Sequence, residues 1–213
     1  MRLFAAIVPP RSAVEELVRT VRAVSPTSAA PLPTRRGFRA RFGGGAGTQA
    51  APVDHDQLVV PDVRELYLPI TSFGNVTLGD SRKLADALRI EASRWGQPEV
   101  RFAGGTALEW RGDENVWAKL DGDVDGLGVI GRGVPQVVQR LGFFVDRRQF
   151  RPWLAVGTIT EKTTAPYLES LVIALENFKG EPWIIEGISL MKGLPEADKK
   201  DGYEEMERMP LAP

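Results

Sequence analysis

The strongest constraint on this chain is that strand-then-helix units, a strand-length apolar run followed by a helix-length one, occur in two sets, one in each half. Near the amino terminus Leu3 to Val8 reads as a strand. Pro10 and Ser12 then open a helix to about Val24, with Val14, Leu17, Val18 and Val21 on one face. A strand at Glu65 to Thr71 precedes a helix opened by Asp80 or Ser81 that runs to Trp95, with Leu84, Leu88 and Ala92 inward. In the second half a helix spans about Asp125 to Leu141. A strand at Phe150 to Thr160 is then followed by a helix at Ala165 to Glu176. Short strands are predicted at Val100 to Phe102, Ala107 to Trp110 and Asn115 to Leu120. A long one is predicted at Trp183 to Met191, and Tyr203 to Met209 closes the set. No fixed repeat of 20–50 residues is visible, which excludes a solenoid.

Between Ser25 and Pro61 the periodicity collapses. This proline-rich segment holds the run Gly43-Gly44-Gly45-Ala46-Gly47 and four arginines, Arg35, Arg36, Arg39 and Arg41. A patternless stretch this long inside a compact domain is either functional or without fixed structure. It reads as a mobile basic insertion at about 26–60 in a single domain spanning 1–213. The glycine run lacks the Gly-Lys-Ser/Thr ending of a phosphate loop and follows no strand. The arginines could close over an anionic ligand or meet RNA phosphates. They could equally serve as solvated charge.

Composition narrows the chemistry. There is no cysteine, which removes disulfides, zinc thiolates and cysteine nucleophiles and fits a reducing, cytoplasmic location. Lys plus Arg number 27 and Asp plus Glu 28, so a general coating of polyanions is not expected, although a local basic groove is compatible. No stretch approaches the roughly 20 apolar residues of a membrane span. The opening MRLFAAIVPP is cut short by Pro9 and Pro10 and reads as a buried first strand rather than a signal core. His55 is the only histidine.

Two segments carry a resemblance. One is Leu66-Tyr67-Leu68-Pro69-Ile70-Thr71-Ser72-Phe73-Gly74-Asn75-Val76. The other is Phe150-Arg151-Pro152-Trp153-Leu154-Ala155-Val156-Gly157-Thr158. In position and surroundings they resemble the two signature strands of the two-histidine phosphoesterases, the 2′-5′ RNA ligase and RNA 2′,3′-cyclic phosphodiesterase family. Each of those strands carries His-x-Thr or His-x-Ser. The opening strand, the lead-in Arg147-Arg148-Gln149, Pro182-Trp183 through Met191, Tyr203 and Pro210-Leu211 extend the resemblance over nearly the whole chain. It implies an α+β fold: two pseudo-symmetric lobes of antiparallel sheet, with helices outside, around a central cleft.

The departures fall on the chemistry. The histidine positions hold Tyr67 and Trp153, the hydroxyl positions hold Pro69 and Ala155, and the arginine that often ends the second motif is Thr158. In the family, cleavage of a cyclic phosphate needs a base for water and an acid for the leaving oxygen, and imidazole suits both. Hydroxyls hold the phosphoryl oxygens as charge develops. A phenol with a pKa near 10 is a poor base at neutral pH, and indole does not titrate. The resemblance therefore implies a degenerate, non-catalytic protein, more a non-enzyme than an enzyme, that binds an RNA end or a nucleotide in the old cleft. The ligand-binding candidates are Tyr67, Thr71, Arg151, Trp153 and Thr158, together with Arg35, Arg36, Arg39 and Arg41. Tyr67 and Trp153 are expected to face each other across the cleft, either plugging it with apolar bulk or offering a stacking platform. Two alternatives stand beside this: an active phosphodiesterase using Tyr67, Thr71 or Thr158, and a monomeric interaction module that docks a protein partner through the insertion.

Other signals are weaker. Asp121-Gly122-Asp123-Val124-Asp125-Gly126 begins like a calcium loop, but the twelfth position is Arg132, so Asp123 or Asp125 is read as a helix cap. Asp54-His55-Asp56 reads as solvated loop rather than a metal site. Glu109 with Asp113, and Glu15 with Glu16, read as surface charge. No metal and no cofactor are expected. If the insertion is mobile, limited trypsin digestion should cut first after Arg35, Arg36, Arg39 or Arg41; first cuts elsewhere would show it ordered.

Overall fold

The computed structural model describes residues 1–25, 56–107, 112–146, 149–194 and 202–213. Arg35, Arg36, Arg39, Arg41, the glycine run, Asp54, His55, Glu109, Arg147 and Arg148 lie outside the described residues. The element order is β1 (Arg2–Ile7), α1 (Arg11–Ala23), β2 (Leu58–Val59), a 3-10 turn (Val63–Glu65), β3 (Leu68–Asn75), α2 (Leu78–Ala92), β4 (Glu99–Ala107) and β5 (Asn115–Gly122). There follow α3 (Val124–Arg140), β6 (Trp153–Ile159), α4 (Ala165–Asn177), β7 (Trp183–Ile184), β8 (Gly187–Gly193) and β9 (Tyr203–Pro210). The strands form two antiparallel sheets, ordered β3-β1-β8-β9 and β2-β6-β5-β4-β7. The α+β architecture implied by the resemblance is therefore present. Among the described residues no helix is long and apolar enough to cross a membrane.

Each sheet buries one face under two helices. In the first, Leu3, Ala5 and Ile7 of β1, Leu68 and Ile70 of β3, and Ile188 and Leu190 of β8 enter the core, and α2 and α3 pack against this sheet. In the second, Val116, Ala118 and Leu120 of β5 and Leu154 and Val156 of β6 do the same, and α1 and α4 pack on β4. With a side-chain period of two, the residues between these point the other way. The strand–helix sets are not one per sheet. The first sheet takes both ends of the chain, and α3 leaves a strand of the second sheet to cover β3 of the first.

Several predicted boundaries move for identifiable reasons. The strand predicted at 100–102 runs unbroken from Glu99 to Ala107, where the strand predicted at 107–110 begins; the rest of that second strand lies outside the described residues. The pairing of β4 with β5 shifts register between Phe102 and Gly105, and Gly104 takes a left-handed φ of 82° there. The predicted strand Trp183–Met191 is two strands, because the chain leaves the second sheet after Ile184 and joins the first at Gly187. The cap of α2 is Thr77, whose hydroxyl accepts the Asp80 N–H at 3.1 Å, rather than Asp80 or Ser81. Glu65 sits in a 3-10 turn, so β3 starts later and runs on to Asn75. The carboxyl end of the patternless segment is ordered: Leu58 and Val59 pair with Ile159 and Thr158, and Asp56 binds Lys162 at 2.7 Å. Asp123 caps α3 as expected, accepting the Gly126 N–H at 2.8 Å.

The lead into the second signature strand is set by α3. Pro135 lacks the N–H that would reach the Gly131 carbonyl, and Gly131 offers no side chain. Phe150 fills that place: a methyl at Gly131 would sit 2.1 Å from Cδ1 of Phe150. Gly131→Ala should therefore overpack this contact by roughly 1–3 kcal/mol, against a gain of up to about 1 kcal/mol in helix propensity. A net loss of stability in chemical denaturation is expected. Unchanged or increased stability would mean that Phe150 is not locked against α3.

Candidate functional site

The two signature strands, β3 and β6, approach each other between the sheets. There a cleft of about 1040 Å³ opens, lined from both sides. From the first sheet come Arg2, Phe4, Tyr67, Pro69, Thr71 and Tyr203; from the second come Asp113, Asn115, Trp117, Arg151 and Trp153. Tyr67 and Trp153 thus line one cavity from opposite sheets, and they leave it open.

Pro69 shapes the first wall. It lies on the edge strand of its sheet, where a missing N–H is tolerated. The register with β1 shifts beside it, Ala5 pairing with Thr71 but Ala6 with Pro69. The aromatic residues of this wall form a trio. Phe4 and Tyr67 stand 5.1 Å apart, Tyr67 and Tyr203 4.7 Å apart and edge-on, and Phe4 and Tyr203 6.1 Å apart. The Tyr203 hydroxyl donates to the Arg64 carbonyl at 2.7 Å, which ties β9 to the turn before β3. Burial pushes the Tyr67 phenol above its ordinary pKa, with the nearby Arg2 charge opposing.

The second wall is polar and cationic. Arg151-Pro152-Trp153 makes a tight turn in which the Trp153 N–H donates to the Arg151 carbonyl at 2.8 Å. This brings the Arg151 guanidinium to 4.8 Å from the Trp153 ring centroid, while the Lys119 ammonium lies over the same ring at 5.4 Å. Trp117 is 6.4 Å from Trp153. The Trp153 indole therefore already holds two cations, so it presents charge to the cleft more than it offers a bare platform.

The hydroxyls that remain are committed. Thr71 donates to the Asp146 carbonyl at 3.3 Å, and Asp146 returns its N–H to the Ser72 carbonyl at 3.0 Å. Thr158 donates to Oδ1 of Asn115 at 3.0 Å. Neither hydroxyl has a second proton to give to a phosphoryl oxygen. Ala155 pairs with Trp117 and supplies no polar group.

Asp113, read from the sequence as surface charge, is only 5% exposed. It accepts the Trp117 indole N–H at 2.7 Å, the Asn115 backbone N–H at 3.0 Å and the Asn115 side-chain amide at 3.2 Å. Phe4, Arg2, Asn115, Trp117 and Tyr203 were not singled out either. The alternation of β1 and β5 could have flagged Phe4 and Trp117 as sharing the cleft face; nothing in the sequence marks Asp113. Among the described residues no group of three or more His, Cys, Asp or Glu could hold a metal ion.

No family model and no curated protein matches the sequence. Solved structures do match over the full length. TT0787 of Thermus thermophilus shares 16% identity and a TM-score of 0.66 over 99% of this chain and 98% of its own. A structure described as a phosphoesterase shares 17% with a TM-score of 0.63 over 100% and 98%. E. coli LigT complexed with 3′-AMP shares 16% with a TM-score of 0.62, again over 100% and 98%. The chain has the fold of the two-histidine phosphoesterases, as its signature strands implied.

The raised Tyr67 pKa has a consequence for stability. An unfolded phenol ionises at about pH 10 and the folded one only above that. The contribution of Tyr67 is therefore complete below about pH 10 and is lost as pH rises through the folded value. Burial raises the Tyr167 phenol too, which acts in the same direction. Tyr67→Phe should lose less stability between neutral pH and pH 11 than the parent protein in chemical denaturation. Identical losses would show that Tyr67 ionises alike in both states.

Proposed function

We propose that this protein binds a nucleotide or a short RNA end in the cleft without cleaving a cyclic phosphate, and does so in the cytoplasm. The observation that carries the reading is an open cleft lined by Tyr67, Pro69 and Trp153, three of the four signature positions, with Ala155 at the fourth. The base stacks on the Phe4–Tyr67–Tyr203 wall, where π-faces are sequence-tolerant partners. The phosphate meets Arg151 and Lys119, held over Trp153. E. coli LigT, which shares this fold, has been crystallised with 3′-AMP, NADP+ and ATP, in keeping with a nucleotide-sized ligand.

Three features argue against turnover. Tyr67 is pushed further from useful basicity, and Trp153 does not titrate. The Thr71 and Thr158 hydroxyls already donate their hydrogen bonds to the Asp146 carbonyl and to Oδ1 of Asn115, so they offer no donor to a developing oxyanion. Tyr67, Thr71 and Thr158 therefore do not assemble the unorthodox catalytic set that an active enzyme would need. The reading as a protein-docking module depends on the arginine-rich insertion, which lies outside the described residues.

The test combines turnover and binding. No hydrolysis of a 2′,3′-cyclic nucleotide or a cyclic-ended RNA above buffer is expected, whereas 3′-AMP should perturb tryptophan fluorescence. Trp153→Ala and Arg151→Ala should each weaken binding by roughly 1–3 kcal/mol, the first by releasing the guanidinium and the second by removing it. Turnover abolished by Tyr67→Phe would overturn the non-catalytic reading. Absence of any nucleotide binding would overturn the ligand.

A further inference from the structure

A cleft that takes an anion should be lined by donors, yet its second wall contains a carboxylate that is almost fully buried. The three donors to Asp113 are all neutral: one indole N–H, one backbone N–H and one amide N–H. Among the described residues it makes no ion pair. Keeping an anion out of water with only neutral partners is costly. A purely structural turn at 112–115 would be served as well by a neutral side chain.

The arrangement leaves defined acceptor capacity. A carboxylate has about four acceptor sites. Oδ1 of Asp113 takes both Asn115 bonds, while Oδ2 takes only the Trp117 bond, leaving one site on Oδ2. The Asn115 amide is fixed in orientation, because its NH₂ must face Asp113 while its oxygen receives the Thr158 hydroxyl. That oxygen too has a second lone pair. Asp113 and Asn115, two residues apart, thus give the second wall two neighbouring acceptors, opposite the aromatic wall of Phe4, Tyr67 and Tyr203.

Two adjacent acceptors opposite an aromatic surface suit a planar ring edge bearing two adjacent donors. Among the common bases only guanine has such an edge, its ring N1–H beside its exocyclic amine. Adenine and cytosine place an acceptor next to the amine, and uracil flanks its single N–H with two carbonyls. Those edges would set lone pairs against a buried carboxylate, which is a repulsive selection as well as a lost bond. Resting on the nucleotide reading above, we infer that Asp113, supported by Asn115, makes the cleft selective for guanine. Trp117 acts as a positioning residue, its indole N–H holding the carboxylate.

The test is a titration of the whole protein with the 3′-monophosphates of guanosine, inosine, adenosine and uridine, read by tryptophan fluorescence or calorimetry. The guanosine form should bind about tenfold or more tightly than the adenosine and uridine forms, as for a hydrogen bond to a charged group. The inosine form, which keeps N1–H but lacks the amine, should fall between. This arm needs no variant. Asp113→Asn should bring the guanosine-to-adenosine ratio close to one. Because the new amide would face the Trp117 N–H, Asp113→Asn with Trp117→Phe gives the same reading without that clash. Equal affinity for all four ligands, or equal weakening of all four by both variants, would overturn guanine selectivity while leaving nucleotide binding in place. Failure of every ligand to bind would overturn both.

Discussion

The burial of one face of each sheet under a pair of helices is the interaction from which the rest of this molecule follows. Leu68 and Ile70 of β3 and Leu154 and Val156 of β6 are fixed in the core. Extended backbone alternates, so Pro69 and Thr71, and Trp153 and Ala155, are forced to the opposite faces. Those faces are turned toward each other, and Pro69 and Thr71 from one and Trp153 from the other line the cleft. A slip of one residue in either strand would exchange core for cleft. The cost of exposing Leu68 and Leu154 and carrying Pro69 or Trp153 into their places is what holds the register.

Within that frame the cleft walls differ in kind. The first is aromatic, and its rings are steadied by the hydrogen bond from Tyr203 to the Arg64 carbonyl. The second combines two cations over an indole with a buried acceptor cluster at Asp113 and Asn115. A plugged cleft would need only bulk. An acid–base site would need a titrating pair and free donors, and both threonine hydroxyls are already engaged. An open, two-sided cavity with a hydrophobic platform on one side and charge on the other is what the proposed ligand, with a flat part and an anionic part, would require.

Legibility from the sequence was uneven for physical reasons. The helices were visible because burial repeats at the helical period, as with Val14, Leu17, Val18 and Val21 of α1. The signature strands were visible because each keeps its apolar alternation around altered chemistry. Boundaries were lost where a local event overrides propensity. The register shift at Gly104 lets β4 run on past Phe102 to Ala107, and the chain changes sheets between Ile184 and Gly187 so that one apparent strand is two. Trp153, expected either to plug the cleft or to offer a stacking platform, instead holds cations, because Lys119 is its cross-strand partner and Pro152 folds Arg151 back over its ring. Asp113 was invisible, because an aspartate between a glycine and a glutamate carries no sign of how deeply its turn is packed.

The sequence by itself determined the α+β class, the two strands that face the cleft, and that Tyr67, Pro69, Trp153 and Ala155 stand at the positions the resemblance marks for histidine and hydroxyl. Those depend on residue identity and on short periods along the chain, which survive without knowledge of what lies across the gap. Only the tertiary structure decided that the cleft is open, that the ends of the chain share one sheet, and which side chains meet in the site. Arg2 and Phe4 reach it from β1, Asn115 and Trp117 from β5, and Tyr203 from β9, through pairings between residues far apart along the chain. Such contacts are set by how two sheets and four helices pack their volumes together, and no local pattern encodes them.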